Sequence, residues 1–405
     1  MVLSFTLFDL LNNSIKKLVT IQYKKTELEQ EFQVEEGRSL KKAGFINASQ
    51  FNLIDKNLTV LKSQKNILIR IGFLLLGSFL YSSICGFLTL ICLDAMNENY
   101  QFLVYSFASI GFIGTEVLTK QKYYGYGLDD AFLLGAQLCL AIAISISTDG
   151  NELTIALILS LTSLLSYLRY VQLSMAILFC MAFSCSLIFM MFELGTFAKT
   201  ILPFVMMLFA IAIYFGSKKL LEKLTLPFYS KGIVFTQAFA LILFYVSGNY
   251  MVVRELSSEL MGVIVTANND IPFAFLFYGF TFIVPLSYLV CSLYKKDRFM
   301  LWIGIASICF SIYTIRFYYS VLPIEIALTI GGLVLFAFTF FAIKKIKNNT
   351  TGVTFQPDRF SQGNLFGTAE ILLASQLGLK PETTVESPME FGDGGFSGGG
   401  SGGSF

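Results

Sequence analysis

Between residues 68 and 345 the chain passes through one apolar run after another, separated only by short polar pieces. The runs are 68–93, 102–119, 130–148, 153–168, 171–192, 200–216, 232–250, 272–294, 299–317 and 322–343. A helix rises 1.5 Å per residue, so about 17–25 residues cross the roughly 30 Å of hydrocarbon in a bilayer. Most of the runs have that length; 153–168 is short and lies close to both neighbours. Many are rich in Phe, Leu and Ile and show no polar face at a helical period. A helix that is apolar all round is either buried in a large core or embedded in lipid, and ten in succession point to lipid. The fold expected is all-α, a polytopic transmembrane helical bundle of about ten spans.

Charge divides the chain the same way. Residues 1–67 hold 10 basic and 7 acidic side chains, whereas 68–345 hold 16 and 14 over more than four times the length. Overall only 14% of residues are charged, against about 25% in soluble domains. The organisation expected is a helical cytoplasmic segment over 1–67 and a transmembrane domain over 68–345. A further cytoplasmic segment over 346–379 carries a short amphipathic helix near Asn364–Leu377, and a flexible Gly-rich tail covers 380–405. Orientation follows from the excess of Lys and Arg on the cytoplasmic side of membrane proteins. With the N-terminus inside, the inner connections and the exit from the last span carry 13 basic residues and the outer connections three: Lys199, Arg254 and Arg316. Both termini are therefore expected in the cytoplasm. Met1–Leu11 contains Asp9 and precedes Lys16–Lys17, the wrong order for a cleavable signal peptide.

Within the first segment, an acidic stretch from Glu27 to Glu36 precedes the basic residues Arg38–Lys42. Ala43-Gly44-Phe45 has the form of a helix stop. Asn47 or Ser49 can cap a second helix through Phe51 and Ile54, so a small helical hairpin is expected. The tyrosines at 123, 124 and 126 and at 318 and 319 fall at opposite membrane interfaces and read as aromatic belts. The seven cysteines lie in or beside spans and form no CxxC, so they read as packing residues.

Several features together resemble a group of uncharacterised bacterial multi-pass inner-membrane proteins. They are the basic helical N-terminus, the Phe-rich bundle, the inner-loop motif Tyr126-Gly127-Leu128-Asp129-Asp130-Ala131 and the Gly/Phe tail ending FGDGGFSGGGSGGSF. The likeness covers most of the chain in layout and is specific over Asp129-Asp130-Ala131 and the tail. It implies a bacterial cytoplasmic (inner) membrane location and supplies no activity.

The chain contains no histidine, which removes Ser-His-Asp and Cys-His catalysis, HExxH zinc sites and histidine-based acyl transfer. No P-loop or GxGxxG motif is present, so no nucleotide chemistry is expected, and no cofactor or metal. Asp129 and Asp130 are adjacent, and side chains at i and i+1 diverge on a helix. A shared-proton aspartyl pair needs two acids facing each other, whereas acids at a helix N-terminus favour the dipole. The other ionisable groups lie near span ends. Glu116 sits four residues before Lys120, the spacing of an ion pair. Arg316 and Glu325 fall at similar depth on consecutive spans, so they are expected to pair. Gln137 and Gln237 supply midplane polarity, read as interhelical hydrogen bonding or the wall of a neutral cavity.

The function expected is that of a non-catalytic scaffold or subunit of a bacterial envelope assembly, with lipids around it and a protein partner at the N-terminal segment or the C-terminal tail. The near-zero net charge, +2, argues against nucleic acid. The alternative is a carrier for a neutral or amphipathic solute or a lipid, similar to ten-span drug/metabolite carriers with two inverted halves. A lipid enzyme using Asp129 or Asp130 is the third reading.

Overall fold

In the computed structural model, the described residues are 21–318, apart from 43, 59, 93–95, 225, 262–270 and 296, together with isolated positions between 326 and 344. Two helices precede the spans, α1 (Lys25–Lys42) and α2 (Ala48–Leu58). They are followed by α3 (Ile67–Ile91), α4 (Met96–Lys120), α5 (Leu128–Ser147), α6 (Glu152–Tyr170), α7 (Leu173–Glu193) and α8 (Thr196–Glu222). A 3₁₀ turn at Pro227–Tyr229 leads into α9 (Ser230–Gly248), then α10 (Tyr250–Met261), α11 (Ala274–Lys295) and α12 (Arg298–Tyr318). Among the described residues there is no strand, only a single bridge between Lys62 and Tyr123.

Nine of these helices are long and apolar enough to cross a membrane: α3 to α9, α11 and α12. The protein is a multi-pass, all-α membrane protein. The short run 153–168 forms a full span, Glu152–Tyr170, because Asn151 caps it and the helix continues through Arg169 and Tyr170. The tenth run, 322–343, lies outside the described residues except at isolated helical positions, and the C-terminal helix and tail lie outside them entirely. Between the seventh and eighth spans stands α10, a 12-residue helix in the connection between the apolar runs 232–250 and 272–294.

The spans pack as successive hairpins, α4 with α5, α6 with α7, α8 with α9, and α11 with α12, while α3 lies on α5 and α9 meets α7, α11 and α12. In lipid, hydrophobicity does not drive helices together, so close packing of small residues and hydrogen bonds must. The inner stripe of α6 is accordingly Ala156, Ser160, Ser163 and Ser166. Ser160 and Ser163 donate to carbonyls one turn back, at 2.8 and 2.7 Å, so burying them leaves no orphan hydroxyl. Outward surfaces are the reverse of a soluble protein: on α3, Leu75, Phe79 and Phe87 stand exposed, as lipid contact requires.

The N-terminal hairpin is locally encoded. Phe45 N–H donates to the Leu40 carbonyl and Gly44 N–H to that of Lys41, with Gly44 at φ +77°, the left-handed helix stop that glycine adopts without a Cβ clash. Asn47 Oδ1 accepts from Gln50 N at 2.8 Å while Gln50 Oε1 accepts from Asn47 N at 2.9 Å, a reciprocal capping box. The segment is fastened to one end of the bundle. Tyr23 hydroxyl donates to the Tyr123 carbonyl (2.5 Å), Lys62 N to that of Lys122 (2.8 Å), and Gln22 N to that of Arg169 (3.1 Å); Glu35 pairs with Lys231. The connections after α4, α6 and α8 therefore lie at one end. Alternating spans require that, and it is the end to which the basic residues were assigned.

Candidate functional site

The polar groups at this end converge on the first turn of α5. α4 ends at Lys120, Lys122 follows in the left-handed region at φ +66°, and the chain turns back through Gly125 (φ +58°) and Gly127 (φ +108°). The turn points three successive backbone N–H groups inward: Gly125 at 2.7 Å, Tyr126 at 3.0 Å and Gly127 at 2.9 Å from the Asp129 carboxylate. Gln172 Nε2 adds a fourth donor at 2.9 Å. A row of converging N–H groups is an anion-binding concavity, and here the chain fills it with its own aspartate. A side chain at Gly127 would overlap the Arg70 carbonyl oxygen and reach 3.0 Å from Leu74 N, so this close approach admits only glycine.

Asp130, one residue on, points elsewhere. It accepts from Ser174 Oγ at 2.9 Å and from Arg70 Nε at 3.1 Å, with Arg70 Nη2 also on Oδ2. Both carboxylates are almost wholly buried, at 0% and 2% exposure. The first turn of α5 thus holds two buried acids with separate donor sets.

Glu116 departs from the expected pairing. No ion pair joins it to Lys120 among the described residues; Lys120 is exposed. Glu116 instead accepts from Arg169 Nε at 2.6 Å and from Tyr170 hydroxyl at 2.8 Å, both on α6. A directed guanidinium and a phenol together outbid a flexible ammonium that water can solvate. Arg169 Nη2 continues to Gln22 Oε1 at 2.8 Å, linking the N-terminal segment to the spans. Between Arg169 and Gln172, Val171 ends α6 at φ +56°, an uncommon and strained conformation for a β-branched residue. It is held there by the bonds of Tyr170 and Gln172 on either side and by burial among Tyr23, Leu28, Leu61 and Phe228. Gln172 Oε1 is buried and finds no donor among the described residues, a cost of about 1–3 kcal/mol carried inside this knot. The Tyr23 phenol is pushed far above its ordinary range, first by burial and then by the Asp129 carboxylate.

Gln137 links α5 to α6: its Nε2 donates to Ser166 Oγ at 3.1 Å and its Oε1 accepts from Thr162 at 2.8 Å. Gln237 is half-buried on α9 and takes no part in that network. Arg316 is exposed near the end of α12, and its expected partner Glu325 lies outside the described residues. The tyrosines at the span ends also make contacts within the protein: Tyr124 packs edge-on against Tyr23, Tyr126 lies against Phe73, and Tyr318 lies under the Arg254 guanidinium and edge-on to Tyr250, so these rings fasten segments together. Tyr319 lies outside the described residues.

A second polar cluster occupies the opposite end. Asn249, wholly buried, caps α10 through its Oδ1 and donates to Tyr245 hydroxyl at 2.9 Å. Tyr245 bonds the Ser307 carbonyl at 3.0 Å, Tyr250 N–H reaches Thr281 Oγ1 at 3.0 Å, and Ser311 Oγ donates to the Thr281 carbonyl at 2.6 Å. Tyr245 and Thr281 are visible in the sequence as polar residues inside apolar runs, whereas nothing in the sequence says which helices Asn249 and Ser311 join.

Chemically, both clusters tie helices together. Neither Asp129 nor Asp130 opens onto solvent, and among the described residues no group of three metal-ligating side chains occurs. Comparison of the chain with family models, with curated proteins and with solved structures gives no match.

Proposed function

We propose that the protein is a non-catalytic scaffold or subunit of an assembly in the bacterial inner membrane, with its N-terminal hairpin as the docking surface on the cytoplasmic side. The observation that carries this reading is the way the hairpin is held. Tyr23 and Lys62 bond the turn after α4, Gln22 the end of α6 and Glu35 the start of α9, so a platform fastened at three places stands on the spans. On that platform Phe45 and Leu53 are 61% and 63% exposed, beside the exposed Lys41, Lys42 and Lys56. Exposed apolar groups rimmed by charge are the anatomy of an interaction surface. The carrier reading asks for polar groups free to meet a solute. Gln137, Tyr245, Asn249 and Thr281 instead bond one another or neighbouring helices.

The test is affinity capture of the full-length chain from cross-linked native membranes, beside the double variant F45E/L53E. A stoichiometric partner recovered with the natural chain and lost with the variant, at equal membrane levels, supports the reading. No partner, or one that ignores both substitutions, overturns it.

A further inference from the structure

At the end of the bundle away from the N-terminal hairpin, α7, α8, α9 and α10 line a half-open cavity of about 120 Å³. Its walls are mainly apolar, with Phe192, Leu202, Met206, Leu243, Val246 and Leu256 among the lining residues. Lys199 is the charged residue among those that line it. It sits in the first turn of α8, half-buried, with its ammonium 5.5 Å from the centroid of the Phe192 ring. Among the described residues no carboxylate lies within ion-pair distance of it. Of the charges on α10, Arg254 donates to Tyr250 hydroxyl at 2.8 Å and Glu255 accepts from Tyr318, while Glu193, the residue after Phe192 at the end of α7, makes no ion pair with Lys199. Four residues after Lys199 comes Pro203, which has no N–H, so the Lys199 carbonyl loses its intrahelical donor and the mouth of the cavity gains an acceptor.

Depth and chemistry together identify an occupant. From Lys199 to Met206 is seven residues, about 10 Å along the helix, so the cavity runs from the membrane interface into one leaflet. Water entering it would find almost no polar partners, and leaving it empty would forfeit the dispersion contacts of its lining. Hydrocarbon fills such a space, and the bilayer supplies it from the side. A cation at the interface end without a carboxylate partner then selects what the hydrocarbon is attached to.

We infer that this cavity is a binding site for one anionic phospholipid, its phosphate on Lys199 and the first few carbons of an acyl chain between α8, α9 and α10, the rest of the chain lying in the bilayer. The site is independent of the scaffold reading, since it lies at the other end of the molecule and uses none of the same residues.

The experiment is native mass spectrometry of the full-length chain in detergent, titrated with phosphatidylglycerol or with phosphatidylcholine of identical acyl chains. A partly exposed charge pair corresponds to a preference of about fivefold for the anionic lipid. K199Q is expected to bring that ratio close to one while leaving phosphatidylcholine binding in place. L256W, which narrows the cavity from the exposed face of α10, is expected to lower the binding of both lipids. V246F does the same from α9, and melting curves of both variants establish that the bundle is intact. A preference that survives K199Q, or binding unaffected in both folded cavity variants, overturns the inference. So does a single-chain fatty acid that displaces phosphatidylglycerol at equal concentration, because the site would then recognise a carboxylate and not a phospholipid.

Discussion

Replacing Arg70 with Met is expected to damage the fold much more than replacing its partner Asp130 with Asn. The asymmetry comes from burial: the Asp130 side chain is 3% exposed and that of Arg70 37%. Without Arg70, the carboxylate keeps one side-chain donor, Ser174 at 2.9 Å, and the favourable end of the α5 dipole. A buried charge stripped of its counter-ion costs about 3–5 kcal/mol, and Ser174 and the helix end bring this toward the lower figure. Without the charge on residue 130, Arg70 turns its guanidinium outward, and Asn still accepts from Ser174. That change costs about 1–2 kcal/mol, the worth of charge-assisted hydrogen bonds exchanged for neutral ones. The double variant R70M/D130N contains no unpaired charge, so its loss is close to that of D130N alone and about 3 kcal/mol short of the sum. The assay is thermal unfolding of the purified chains in one detergent at one heating rate, because membrane proteins often unfold irreversibly and only matched scans compare. The expected order of melting temperatures, highest to lowest, is the natural chain, then D130N and the double variant together, then R70M. A double variant that melts below R70M, or an R70M that melts with D130N, refutes the argument that an isolated buried carboxylate sets the cost.

Three further outcomes follow from the same region. G127A is expected to cost several kcal/mol and lower membrane levels, because its Cβ overlaps the Arg70 carbonyl at φ +108°. G125A, with 3.6 Å to the nearest atom, is expected to cost only about 1 kcal/mol for its left-handed backbone, as matched melting scans measure. Tyr23 binds its proton more tightly when folded than when unfolded, so its stabilisation is complete below the ordinary phenol value of about 10 and is lost as pH rises past it. Y23F is expected to melt lower at neutral pH, by about 1 kcal/mol for the bond to Tyr123, and to lose less than the natural chain above pH about 10. Cysteines placed at positions 24 and 223 are expected to react with a membrane-impermeant thiol reagent from the same side, since Glu35 and Tyr23 hold the N-terminal segment at that end. Labelling from opposite sides would refute the alternation of spans.

The spans, the N-terminal hairpin and its ends could be read directly from the residues. Run length alone decides whether a helix crosses a bilayer, and each backbone group inside a helix is satisfied within four residues. Gly44 stops α1 and Asn47 with Gln50 starts α2 through contacts no more than five residues apart. Even the short run 153–168 obeyed this rule once Asn151 was recognised as its cap.

The partners of the polar groups were a different matter. Glu116 passes over Lys120, four residues away, for Arg169, 53 residues away. Asp129 faces a turn and Gln172, Asp130 faces Arg70, and Val171 accepts a left-handed backbone that its side chain disfavours. None of these follows from local spacing. In a bundle whose surfaces are apolar on every side, hydropathy marks which segments are helices but not which helices meet. That choice is made by small-residue stripes such as Ser160, Ser163 and Ser166, and by buried acids that must find donors wherever the packed chain brings them. Composition and run length therefore fix a helix and its place in the membrane, because those are one-body properties of a segment. The site at the first turn of α5 is a property of α3, α5, α7 and the turn before α5 together, and it exists only after they have packed.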